Sequence, residues 1–151
     1  FLYSLNKTLL KVRSFAMCSN LVEISHMFDR YKGEEAIERI LTGNGIDIMF
    51  GATDYGQSFE DFKEKCLSLV RNTSTVIILG DGRNNDDDPK EKLLKEISDK
   101  CKTLIWLNPE QESMWGAGDS EMDKYVPYCT VAQECNTLDH LDKILNNILK
   151  V

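Results

Sequence analysis

The sequence predicts an α/β fold of three layers, a doubly wound and mainly parallel sheet between helices. Three observations predict it. Short, continuous apolar runs alternate with segments whose apolar residues recur every three or four positions, which is the pattern of strands joined by crossover helices. The clearest run, Thr75 to Leu79, is β-branched and apolar on both sides, as expected of a strand covered on both faces. The chain has 151 residues, 42% of them apolar, which is enough for a single domain, residues 1–151, with its own core.

The elements follow in order. Residues 1–10 set Leu2, Leu5, Leu9 and Leu10 on one face and read as the end of a helix. Val12 to Cys18 reads as a strand and Leu21 to Ser25 as a shorter one. Glu34 to Thr42 is helical, with Ala36, Ile37, Ile40 and Leu41 apolar and Gly43 as its stop. Gln57 to Val70 predicts a longer helix that turns Phe59, Phe62, Cys66, Leu69 and Val70 inward. Gly80 to Asp88 is a polar loop. Asp88 then caps, and Pro89 opens, a helix carrying Leu93, Leu94 and Ile97. Thr103 to Leu107 and Thr130 to Glu134 are further strands. Thr137 caps a last helix that points Leu138, Leu141, Ile144, Leu145, Ile148 and Leu149 at the core. Right-handed crossovers between parallel strands place ligands beyond the carboxyl ends of the strands. That rule points to the loops after Cys18, Leu79 and Leu107.

Composition excludes several classes of function. Asp plus Glu is 25 against 18 Lys plus Arg, a net charge of −7, so the chain lacks the basic surplus that nucleic acid requires. No apolar run approaches the roughly 20 residues that span a bilayer. The five cysteines, at 18, 66, 101, 129 and 135, form no Cys-x-x-Cys pair, and the two histidines, His26 and His140, are far apart. The cysteines therefore read as small buried apolar residues of a reducing, cytoplasmic setting, with no zinc site. The chain begins at Phe1 and is expected to be the C-terminal part of a longer protein.

Two loops stand out chemically. Gly80-Asp81-Gly82-Arg83-Asn84-Asn85 holds a carboxylate between two glycines at a strand's carboxyl end. It reads either as a solvated turn or as a ligand-binding loop. Gly51-Ala52-Thr53-Asp54-Tyr55-Gly56 precedes a helix, so Thr53 or Asp54 is either a helix cap or a hard oxygen ligand. A hydroxyl and a carboxylate on neighbouring loops suit magnesium, which keeps several waters and needs few protein groups. Asp86, Asp87 and Asp88 lack calcium-loop spacing and read as a solvated charge run. Trp106-Leu107-Asn108-Pro109-Glu110 and Trp115-Gly116-Ala117-Gly118-Asp119-Ser120 read as loop architecture. Gly118-Asp119-Ser120 has a superficial likeness to a hydrolase serine motif, without a partner histidine at a recognisable place. The alternative function is a small hydrolase or phosphate-binding enzyme built on Asp81. The chain lacks a glycine-rich phosphate loop with lysine and a nucleophile–base pair, which weighs against it.

Together these segments resemble a von Willebrand factor A-type (VWA) domain of the CoxE-like group. The resemblance rests on Val12-Arg13-Ser14-Phe15, Leu21-Val22-Glu23, Thr53-Asp54-Tyr55-Gly56, the Gly80–Asn85 loop and the two tryptophan-bearing segments. It implies a Rossmann-like fold and a metal-ion-dependent adhesion site built from three loops, with Thr53 and Asp81 matching the second and third. Such a site binds magnesium and leaves a position for a partner's carboxylate. The implied function is a protein-interaction module and no enzyme. The implied partner is a MoxR-type AAA+ ATPase, in the maturation of a metalloenzyme or complex. The first loop's Asp-x-Ser-x-Ser occurs nowhere in the chain. The first strand and its metal loop are therefore expected upstream, and magnesium binding by this chain is expected to be weak or absent. In the family's sheet that strand lies between the strands matched by Val12–Cys18 and Thr75–Leu79. Those two are expected to close up and pair directly, with strand exchange in a dimer as the other outcome.

Overall fold

A computed structural model describes residues 11–137, 139–141 and 143–144. It contains two sheets. The first is an antiparallel hairpin of β1 (Phe15–Met17) and β2 (Leu21–Glu23), with Phe15 opposite Glu23. The second is a parallel sheet in the order β3 (Thr75–Leu79), β4 (Thr103–Asn108), β5 (Val131–Glu134). Thr75 pairs with Thr103, and Ile105 pairs with Val131. The helices are α1 (Ser25–Arg30), α2 (Gly33–Thr42), α3 (Tyr55–Lys65), α4 (Glu91–Lys100) and the short α5 (Met122–Tyr125).

The three expected layers are present, and β4 shows why. Its alternate residues face opposite sides, as strand geometry requires. Leu104 and Trp106 pack with Tyr55 and Phe59 of α3, Leu94 and Ile97 of α4, and Met122 and Tyr125 of α5. Ile105 and Leu107 face the other way, against Ile144 and Ile77. The C-terminal segment is helical at residues 139–141 and 143–144, and Thr137 Oγ1 accepts the His140 N–H at 3.1 Å, the expected cap. The expected helix in residues 1–10, and Leu138, Leu145, Ile148 and Leu149 of the last one, lie outside the described residues. A separate small core joins Ile24, Met27 and Phe28 to Ala36 of α2.

Several expectations are corrected. The first strands are shorter than Val12–Cys18 and Leu21–Ser25, because the Ser25 hydroxyl takes the Ser14 N–H (2.9 Å) and ends the ladder. The long helix stops at Lys65. Cys66 leaves helical geometry (φ −130°, ψ −20°), and a 3₁₀ turn over Leu67–Leu69 follows, which leaves Leu69 exposed. Pro89 does not open α4. The helix starts at Glu91 after Lys90 in left-handed geometry (φ 44°), whose N–H is taken by Asp88 Oδ1. The cysteines are all free, but only Cys66 is buried and the other four are half-buried.

The strands Val12–Cys18 and Thr75–Leu79 do not close up. Among the described residues, β1 pairs only with β2 and β3 only with β4. What joins the two sheets is α3. Phe62 meets Phe15 of β1 edge-on at 5.9 Å, while Phe59 meets Trp106 of β4 at 6.4 Å. Asp61 of the same helix accepts the Leu21 N–H at 2.9 Å. The helix thus supports both sheets at once without any ladder between them. One consequence is that β3, expected to be covered on both faces, is only half-buried in its centre and exposed at Leu79, whereas β4 is buried from Leu104 to Asn108.

This difference yields a prediction. Leu104→Ala, in the fully buried strand, is expected to cost about 2–5 kcal/mol. Leu79→Ala, at a position 39% exposed, is expected to cost less than about 1 kcal/mol. Urea denaturation of the two variants checks it, and equal losses would contradict the edge position of β3.

Candidate functional site

The loops named by the switch-point rule meet at the carboxyl end of the sheet. The Thr53 loop is tied to the hairpin by Asp54 N–H donating to the Cys18 carbonyl (3.1 Å). It is tied to the loop after β3 by two neighbouring asparagines. Asn84 Oδ1 accepts the Tyr55 N–H (2.7 Å), and Asn85 Nδ2 donates to the Thr53 carbonyl (2.9 Å). Asn84 is wholly buried and its amide also donates to the Asp87 carbonyl (2.8 Å), so both ends of the side chain are satisfied.

Asp81 sits on this junction. Its Oδ1 accepts the Tyr55 hydroxyl (3.2 Å) and the Arg83 N–H (3.0 Å). The Tyr55 oxygen in turn accepts the Gly82 N–H at 3.0 Å. Gly82 has φ +73°, and a Cβ there would stand 2.6 Å from Met122 Sδ, so no other residue fits without displacement. Gly56 serves the opposite side of the junction, since a Cβ on it would meet the Asp88 carbonyl at 2.1 Å.

A second set of bonds fixes the loop after β3 to the loop after β4. Trp106 Nε1 donates to the Gly80 carbonyl (2.8 Å), and Asn108 Nδ2 donates to the Asp81 carbonyl (2.9 Å). Asn108 Oδ1 takes the Glu110 N–H at 2.7 Å. Arg83 then clasps Glu110 with two parallel bonds (2.8 and 3.0 Å) and reaches Asp119 Oδ1 at 2.6 Å. Hydrogen bonds to Glu110 and then Asp119 hold the guanidinium above its ordinary pKa, and the bond to Arg83 lowers that of Asp119.

Each candidate residue thus has a place. The loops of Thr53 and Asp81 are brought together, and among the described residues the Thr53 hydroxyl has no hydrogen-bond partner. Asp54 is a helix cap, accepting the Gln57 N–H at 2.8 Å. Asp86, Asp87 and Asp88 are exposed. Trp115–Ser120 is loop architecture, with Asp119 committed to Arg83 and Ser120 Oγ accepting the Gly116 N–H. Tyr55, Asn84 and Asn108 carry the junction although nothing in their spacing marked them. The available signal was two adjacent asparagines after a strand, which read equally well as turn formers.

The donor set limits what could be held here. Among the described residues no three His, Cys, Asp or Glu side chains gather around one point. Among the described residues such groups therefore do not form a full protein cage. A hydroxyl such as that of Thr53 and a carboxylate such as that of Asp81 are hard oxygen donors, the type that magnesium takes.

The sequence pattern of the family described as VWA domain containing CoxE-like protein matches residues 1–144. No curated protein and no solved structure matches the chain.

The phenol at the junction generates a prediction. Burial, foremost, pushes the Tyr55 hydroxyl above its ordinary pKa of 10.0, with Asp81 adding to the effect and the Gly82 N–H opposing it. Tyr125 is pushed up by burial as well. In the unfolded chain both ionise near their ordinary value, whereas the fold keeps them protonated. Their contribution is therefore complete below about pH 10 and is lost as pH rises above it. Stability measured by denaturant between pH 8 and pH 11 is expected to fall at the upper end. Tyr55→Phe is expected to flatten that fall while costing about 1–3 kcal/mol at neutral pH, by stranding the Gly82 N–H.

Proposed function

Because the chain belongs to the VWA domain containing CoxE-like protein family, matched over residues 1–144, we propose that it is a protein-interaction module. Its binding surface is the junction of the Thr53, Asp81 and Asn108–Ser120 loops. The observation that supports this reading most is the fixing of Asp81 by Tyr55 and Arg83 while its loop is bonded to that of Thr53. Such preorganisation lowers the ordering cost of binding a partner. Thr53 and Asp81 are the residues that would hold a magnesium ion. When bound, that ion supplies an open position for a partner's carboxylate. Asp81 positions and Arg83 braces, and neither is assigned a chemical step, so the role is binding without catalysis. No helix among the described residues is long and apolar enough to cross a membrane, and the partner proposed from the family is a MoxR-type AAA+ ATPase.

Two measurements test the reading. Surface-immobilised chain is expected to bind such an ATPase in magnesium and to lose at least tenfold, about 1.4 kcal/mol, in EDTA or in Asp81→Ala and Thr53→Ala. Equal binding under all these conditions would remove the metal site from the function. Calorimetry with magnesium alone is expected to show weak binding, and a Kd of about 1 μM or below would show that more than two side chains hold the ion.

A further inference from the structure

Helix α2 carries an apolar stripe wider than the surface it covers. Around its circumference, at 3.6 residues per turn, the order is Ala36, Ile40, Ile37, Leu41, Glu34, Glu38. Ala36 is fully buried and Ile40 packs beside it against Ile24, Met27 and Phe28. Ile37 and Leu41, one turn apart on the adjoining side, remain 51% and 71% exposed. At the C-terminal end of the helix the Phe50 ring lies against Gly43, whose left-handed geometry (φ +70°) ends α2. Phe50 and its neighbour Met49 are exposed too. Four of the nine large apolar side chains left exposed among the described residues therefore fall between residues 37 and 50. Isolated exposed apolar residues need no explanation, but Ile37 and Leu41 are neighbours at i and i+4 and form one paired apolar surface on the helix.

The border of this stripe has one sign of charge. Glu34 and Glu38 are exposed on its outer side and make no ion pair among the described residues. Arg39, the one cation of α2, is turned to the opposite side, where it pairs with Glu35 and stacks over Tyr31 at 4.1 Å. We propose that the stripe of Ile37 and Leu41, bordered by Glu34 and Glu38, docks the apolar face of a basic amphipathic helix from a partner protein. Charge complementarity selects the occupant. A second copy of the chain would bring the same carboxylates against each other, on a molecule of net charge −7. A helix with lysines or arginines flanking its apolar stripe meets both the apolar surface and its border. The surface is separate from Thr53 and Asp81 and does not depend on a metal.

The probes are two synthetic helical peptides with the same leucine stripe, one with a lysine and one with a glutamate polar face. They are titrated by fluorescence anisotropy in EDTA, which leaves the Thr53–Asp81 reading untouched. The lysine peptide is expected to bind, more weakly as salt rises, and the glutamate peptide not to bind. The double variant Ile37→Ser, Leu41→Ser is expected to lose at least tenfold in affinity. Both positions are solvent-facing, and circular dichroism verifies that the variant is folded. The double reversal Glu34→Lys, Glu38→Lys is expected to transfer preference to the glutamate peptide. The pair Asp86→Asn, Asp87→Asn is expected to leave binding unchanged. Three results would overturn the proposal. These are equal binding of both peptides, loss of binding in the Asp86/Asp87 variant but not in the Ile37/Leu41 variant, and a self-association in sedimentation that the Ile37/Leu41 variant abolishes.

Discussion

The Tyr55 ring lies among Phe59, Trp106 and Tyr125, 5.4 Å from the indole and 6.0 Å from the Tyr125 ring, while its hydroxyl emerges at the loops between Asp81 and Gly82. One side chain therefore belongs to the core and to the candidate site together. The position of its oxygen is set by ring packing, and aromatic packing of this kind resists small displacements. Asp81 inherits that rigidity through a single hydrogen bond. The loop after β3, with two glycines and two non-glycine residues, Asn85 and Asp86, in left-handed geometry, is held further by Asn84, Trp106, Asn108 and Arg83.

Around this anchor the polar groups are arranged so that few donors or acceptors are left over. Asn84 and Asn108 are both fully buried, and each accepts from one loop and donates to another. An amide is well suited to that task because it offers both functions without charge. Arg83 supplies the charged counterpart, spanning the loops after β3 and β4 where solvent still reaches it. The outcome is a surface whose shape is fixed before any partner arrives. That property suits recognition, and family membership points the same way.

The sequence was most informative where one physical demand acted alone. Thr75–Leu79 has the bounds expected of it because an unbroken β-branched run fits only a strand. Gly43 ends α2 because only the left-handed region closes that helix, and glycine reaches it without strain. Reading failed where tertiary context decided. The periodicity around Phe59, Phe62, Cys66 and Leu69 is helical throughout, yet the chain leaves the helix at Cys66, and Leu69 points to water. The apolar stripe of α2 was legible, but not which half of it the body of the protein would cover. The Thr53 and Asp81 loops were legible as candidates, whereas the direction of the hairpin and the roles of Tyr55 and Asn84 were not. Those roles depend on residues about 30 positions away in sequence, and local pattern carries no such information.

The half-covered strand β3 has one more consequence. Among the described residues its outer edge has no ladder partner, and its five residues, Thr75-Val76-Ile77-Ile78-Leu79, include no charge, proline or bulge. Proteins usually guard such edges with one of those devices, because a bare β-branched strand templates pairing with any similar strand it meets. Here the guard is not in the strand. An edge of this kind accepts a further strand, so the free ladder groups of Thr75–Leu79 are where the described sheet can be extended.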